Sequence, residues 1–169
     1  MPHRVSRTTE KNMDTLLEHT LALLIHNTRI AALATIHDGE PNLAMVAVAV
    51  ESDFSAFYLH VSKLSKHTGN MERNRHVSLL FTQADDHRPD PQTLARVSLQ
   101  GMAETVTKTA SHYERVRHIY LARFPEAEKL FSLGDFILWR ISPTGGRFVA
   151  GFGQAYHITP EVLRKVSNL

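Results

Sequence analysis

The order of extended and helical runs constrains this chain more than any single motif. Between residues 30 and 106 five extended runs follow one another with one short helical interruption. They cover residues 30–36, 42–50, 54–61, 77–82 and 94–106. A parallel strand pair needs a crossover of a dozen or more residues, usually a helix. Too few such crossovers are present, so the strands pair antiparallel, and a doubly wound sheet is excluded. Asp38-Gly39 between the first two runs is a hairpin signal. Residues 94–106 alternate, with Ala95, Val97, Leu99 and Gly101 on one face and Arg96, Ser98, Gln100 and Met102 on the other, the period of a strand.

Helices flank these runs. Residues 10–29 carry Met13, Leu16, Leu17, Leu21, Leu24 and Ile25 at three- and four-residue steps, one apolar stripe. A short helix is expected over roughly 64–74. Another is expected over 107–124, with Pro125 as its breaker. Residues 136–141 and 147–150 read as two more strands, joined by a turn at Ser142-Pro143-Thr144-Gly145-Gly146. Thr159-Pro160-Glu161 opens a last helix, with Thr as cap and Pro at the first helical position. The pattern is mostly β with flanking helices (α+β), and the expected architecture is a small antiparallel barrel. Its expected organisation is an N-terminal helical segment over 1–29, a barrel domain over 30–158 and a C-terminal helix over 159–169.

Composition removes several function classes. The 169 residues fit one domain, 43% hydrophobic and 21% charged, as in ordinary soluble chains. No apolar run reaches the length of a membrane-spanning helix. The first residues, Met-Pro-His-Arg-Val-Ser-Arg, contain no apolar h-region, so no secretory signal is expected. Cysteine is absent, which excludes disulfides and thiolate chemistry. The expected location is cytoplasmic. Net charge is only +2 and no Lys/Arg block is longer than two residues, which argues against a nucleic-acid partner. His60, His67 and His76 fit no metal-ligand pattern.

The densest chemistry lies in Ser62-Lys63-Leu64-Ser65-Lys66-His67-Thr68-Gly69-Asn70. A helix start presents unpaired N–H groups and a positive dipole end, and Ser, Thr and Lys beside it make a phosphate-sized anion site. The plainer reading is a surface helix capped by Ser62 or Ser65. Arg96 either pairs with a surface acid such as Glu104 or forks onto a phosphate. Trp139, the only tryptophan, is either a core aromatic or the wall of a groove. Ser62, His67 and Asp53 can be assembled as a triad only on paper, since no nucleophile elbow is present.

Four tracts together carry a resemblance that spans roughly residues 28–158. They are Ala31-Ala-Leu-Ala-Thr35 with Asp38-Gly39-Glu40-Pro41, Ser62–Asn70 running into Val77-Ser78-Leu79-Leu80-Phe81, Leu94-Ala-Arg-Val-Ser-Leu-Gln-Gly101, and Gly134-Asp135-Phe136 through Gly151-Phe-Gly-Gln-Ala-Tyr156. The chain resembles the FMN-binding split barrels of the pyridoxamine-phosphate-oxidase-like group, and its last two tracts most resemble the HugZ/HutZ-type haem-utilisation branch. The resemblance implies a homodimer with FMN between the subunits, and an oxidoreductase acting on a small molecule. It assigns the flavin phosphate to Ser62, Lys66, His67 and Arg96, the ring to the backbone of Met45 and Val46, and a groove wall to Trp139. No catalytic acid or base follows from it. The chain departs from the oxidases where Ala44 and Ala49 stand at basic positions, and where Lys66-His67 replaces an Arg-Lys pair. It departs from the haem branch at Asn168, which stands where that branch has an axial His. Asp135, the acidic partner of that His, is retained, and His157 is either a substitute ligand or a solvated strand-end His. The alternative reading is therefore a haem-binding protein on the same dimeric barrel.

Overall fold

The computed structural model describes residues 13–151 and 153–169. The first part of the 10–29 helix and Phe152 of the 151–156 tract lie outside them. Helix α1 (Thr15–Asn27) begins where the Asp14 carboxylate accepts the Leu17 N–H at 2.9 Å, an N-cap bond that satisfies an otherwise orphan donor. Its Leu21, Leu24 and Ile25 are buried.

Strands β1 (Ile30–His37) and β2 (Glu40–Ala47) form the expected hairpin. Its two turn residues, Asp38 and Gly39, have φ of 50° and 83°, the left-handed pair that a tight hairpin requires. There follow β3 (Ala49–Val50), β4 (Phe57–Ser62), α2 (Lys66–Arg73), β5 (His76–Thr82), β6 (Arg96–Val106), α3 (Tyr113–Arg123), α4 (Glu128–Phe131), β7 (Phe136–Gly151), β8 (Gln154–Ile158) and α5 (Pro160–Val166). Among the described residues these eight strands make one antiparallel sheet in the order β2-β1-β5-β6-β7-β4-β3, with β8 also on β7. Strand β7 is its spine. Its first part pairs with β4, its length with β6 and its last part with β8. The sheet curls until β2 comes up against β4, as a split barrel does. No described helix is long and apolar enough to cross a membrane.

Three expectations are corrected. Ser142–Gly146 is not a turn but the middle of β7. The ladder shifts register at Gln100/Gly101, where Pro143 faces Gly101, and a bulge is where a strand tolerates proline. The helix expected over 107–124 begins only at Tyr113. Ahead of it Ala110 N–H donates to Thr107 O at 3.0 Å and the Thr107 and Thr109 hydroxyls pair, the local bonding by which such residues compete with helix. The third strand starts at Phe57 rather than 54, because a turn with Phe54 at φ 56° precedes it. The short strand β8 was not anticipated.

Two cores result. The barrel interior holds Leu33, Phe57, Leu59, Leu79, Val97, Trp139 and Phe148, and α1 and α5 close it with Leu21, Ile25, Leu163 and Val166. Outside β4 and β7, helices α3 and α4 cover Tyr58, Val106 and Leu138 with Val116, Tyr120 and Phe131.

Candidate functional site

At the start of α2 the side chains divide into engaged and free. Ser62 Oγ donates to Asp135 Oδ2 at 2.8 Å and accepts the Leu64 N–H at 3.1 Å. Its hydroxyl is therefore taken. Asp135 O also accepts the Lys63 N–H, so the retained acid clamps β4 to the start of β7. Thr68 Oγ1 donates to Ser62 O at 2.7 Å, and Asn70 Nδ2 reaches Thr35 Oγ1 at 2.9 Å, fastening α2 to β1. His67 is half-buried with an unpartnered Nε2, and burial holds its imidazole below its usual pKa. It is neutral at pH 7 and adds no charge. Ser65 occupies the N-cap position but its hydroxyl makes no cap bond. With the exposed Lys66 ammonium and the first-turn N–H groups, it forms what remains of an anion seat.

Arg96 does not join that seat within one chain. Its Nη1 donates to Gln92 O and Leu94 O at 2.9 and 3.1 Å, holding the turn before β6. Ser62 faces Phe136 of β7, beyond the point where Leu138 meets Val106, whereas Arg96 faces Val149. The length of β6, about 33 Å at 3.3 Å per residue, runs between the two. Ala49 is fully buried in the second core, so no long basic side chain fits there. Trp139, placed on a groove wall by the resemblance, lies in the barrel core at 2% exposure.

The register assembles a different surface. Ile30, Ala32 and Ile36 of β1, Leu43 and Met45 of β2 and Leu80 of β5 point outward together. Leu43 is 72% exposed and Met45 70%, while Val46 points into the core. No Asp, Glu, Lys or Arg occupies the outward positions of β1 and β2. Between this face and α1 runs a groove of about 940 Å³, reaching Leu23, Thr28, Thr82 and Ala95. Arg96, paired with Thr82, stands at its edge. One row of paired residues continues the face, from Met45 through Ala32, Leu80 and Ser98 to Arg147 and His157. Beyond the apolar groove the row thus ends in a basic and an imidazole side chain. The two-residue period of each strand sets which face each of these residues takes, but only the pairing of six strands puts them in one row.

The geometry tests two groups against this chain. Among the described residues the α2 seat offers the Lys66 ammonium for the phosphate of FMN, with Arg96 at the far end of β6. Haem, a planar and largely apolar ring bearing two carboxylates, fits the uncharged face and its border. Asn168, just past the end of α5, offers no ligand, since its amide donates back to Arg164 O. His157 is exposed on β8.

Comparison with known proteins agrees with the fold. The family described as CREG, beta-barrel, matches residues 21–163. A haem oxygenase, HutZ of Vibrio cholerae serotype O1, is 28% identical over 148 residues, 80% of this chain and 83% of that protein. The structure of a haem-binding protein from Mycobacterium smegmatis superposes with a TM-score of 0.78 at 24% identity, covering 92% of this chain and 62% of that one. An FAD-binding protein from Mesorhizobium loti superposes at 0.61 with 20% identity, covering 81% and 96%. At such identities the two structures speak for the fold alone.

Proposed function

Because the chain belongs to the CREG β-barrel family, in the HutZ-type branch of the pyridoxamine-phosphate-oxidase-like split barrels, we propose that it is a haem-handling protein that works as a homodimer. The observation that carries this reading is the uncharged face of β1, β2 and β5 with its groove and its border of Arg96, Arg147 and His157. The named activity of the relative from Vibrio cholerae supports it. Apolar walls with a few convergent polar groups are the usual make-up of a cofactor site. In that site Ile30, Met45 and Leu80 would lie against the ring and exclude water, the guanidiniums of Arg96 and Arg147 would take the carboxylates, and the His157 imidazole on the same row would be the nitrogen donor. When bound, haem supplies the iron and its redox chemistry. A second copy covers the exposed Leu43 and Met45 and completes the enclosure. Titrating haemin into the purified chain is expected to give a saturable Soret band. Arg96→Ala with Arg147→Ala weakens uptake about tenfold or more, and His157→Ala changes the band position. Absence of a saturable band sinks the proposal.

A second reading, an FMN-dependent oxidoreductase, rests on the α2 start. Ser65, Lys66 and the first-turn N–H groups form a phosphate seat, and in a homodimer Arg96 of the other copy supplies the missing charge. This reading requires the dimer, because Lys66 and Arg96 sit at opposite ends of one β6. FMN titration is then expected to quench flavin fluorescence, with Lys66→Ala about tenfold weaker; unchanged affinity in that variant removes the assignment.

A further inference from the structure

A second groove, of about 900 Å³, opens between the end of α1 and α3. Arg29, Arg115, Arg123 and His118 border it, and Val50 and Ile119 give it apolar walls. Among the described residues its single carboxylate is already committed. Glu51 Oε2 accepts from Arg115 Nη1 at 2.7 Å and from the Tyr58 hydroxyl at 2.8 Å. Arg29 and Arg123 have no acidic partner among the described residues. Arg29 lies over the Phe124 ring, 4.9 Å from its centre. Arg123 Nη2 donates to His26 O and Thr28 O at 2.8 and 2.9 Å, and its Nε is buried without a partner. Burial, and after it the charge of Arg29, acts against the charged form of Arg123. Two guanidiniums thus line one groove, that of Arg123 partly desolvated, with no acidic partner for either among the described residues. Like charges brought together in this way repel, and an anion between them relieves the repulsion.

We propose that this groove binds a small, multiply charged oxyanion, either a phosphate ester or a polycarboxylate. Arg29 grips its charge through the forked geometry that suits both oxyanion types, and Arg123, whose Nη2 and Nε are engaged or buried, adds its remaining Nη1 and its charge. His118 and Arg115 border it, and the apolar wall takes an organic body. The site meets the groove of the β1–β2–β5 face only at Asn27, and its charged residues are not those assigned to haem or flavin.

Isothermal titration of the full chain with pyrophosphate and with citrate, each in low salt, tests it. At least one of the two is expected to bind at one per chain, the tighter one identifying the phosphate or the carboxylate class. Raising the salt weakens the binding. Arg29→Ala, at an exposed position, weakens it about tenfold or more, and Arg29→Lys weakens it less, because charge is kept and the fork is lost. Lys129→Ala, at an exposed cation outside the groove, leaves it unchanged. The proposal is overturned by no saturable heat with either anion, by equal affinity in Arg29→Ala, or by an equal loss in Lys129→Ala.

Discussion

Ser62 and His67 show how neighbours change what a residue offers. Both suit phosphate binding by type, yet the Ser62 hydroxyl is held by Asp135 and the His67 imidazole is neutral through burial. His60 is the sharper case. It is 7% exposed and stacked on Phe131 with ring centres 3.8 Å apart and planes 9° from parallel. Tyr120 and Phe136 lie against it and its Nδ1 has no partner. Burial, with Lys108 adding to it, pulls its pKa down to about 4. The unfolded chain holds this group near 6.5, so protons bind the unfolded state more tightly. Its stability contribution is complete above pH 6.5 and is lost as pH falls toward 4, by about 3 kcal/mol in all. Urea unfolding at pH 7.5, 5.5 and 4.5 is expected to show this loss, and His60→Phe should flatten it over that window. An equal slope in the variant would assign the acid sensitivity elsewhere.

At the scale of elements, β7 and β6 depend on two glycines where they cross closely. A Cβ on Gly101 would come 2.7 Å from Ile141 Cγ2 and 2.8 Å from Ser142 O. One on Gly146 would press into Ser98 O and come 2.8 Å from Leu99 Cδ2. Either Gly→Ala change must push backbone apart and is expected to cost about 2 kcal/mol or more. Gly69 in α2 is the opposite case. Nothing lies within 4 Å of its Cβ position, and Gly69→Ala is expected to stabilise by about 0.5–1 kcal/mol by reducing unfolded-chain entropy. Chemical denaturation midpoints of the three variants check both signs together. Close packing also explains why Ser142-Pro143-Thr144-Gly145-Gly146 reads as a turn locally. Its glycines serve an approach between strands, and its proline sits at the bulge; neither use is visible without the partner strand.

For the whole molecule, the exposed apolar face is the feature that a single chain leaves unpartnered. Contiguous apolar surface of this kind marks an interaction site, and the proposed homodimer covers it. Light scattering on a sizing column is expected to give twice the chain mass, and Leu43→Asp with Met45→Asp to give the single mass with the fold kept, since both side chains are exposed. A wild-type monomer would remove the dimer from both functional readings. Much of the fold was legible beforehand. The β1–β2 hairpin, the alternation of β6, the cap of α5 and the antiparallel barrel all rest on neighbours in the chain, through side-chain period, turn residues and capping. Lys66 was legible as a cation at a helix start for the same reason. What the tertiary structure alone decided is long-range. Ser62 meets Asp135 across 73 residues, Trp139 turns into the core, Arg96 stands a full strand away from Lys66, and six strands align one apolar row with Arg147 and His157. Local periodicity determines which way each side chain points. Register between distant strands determines which of them meet, and it is set by the packing of the whole barrel rather than by any segment within it.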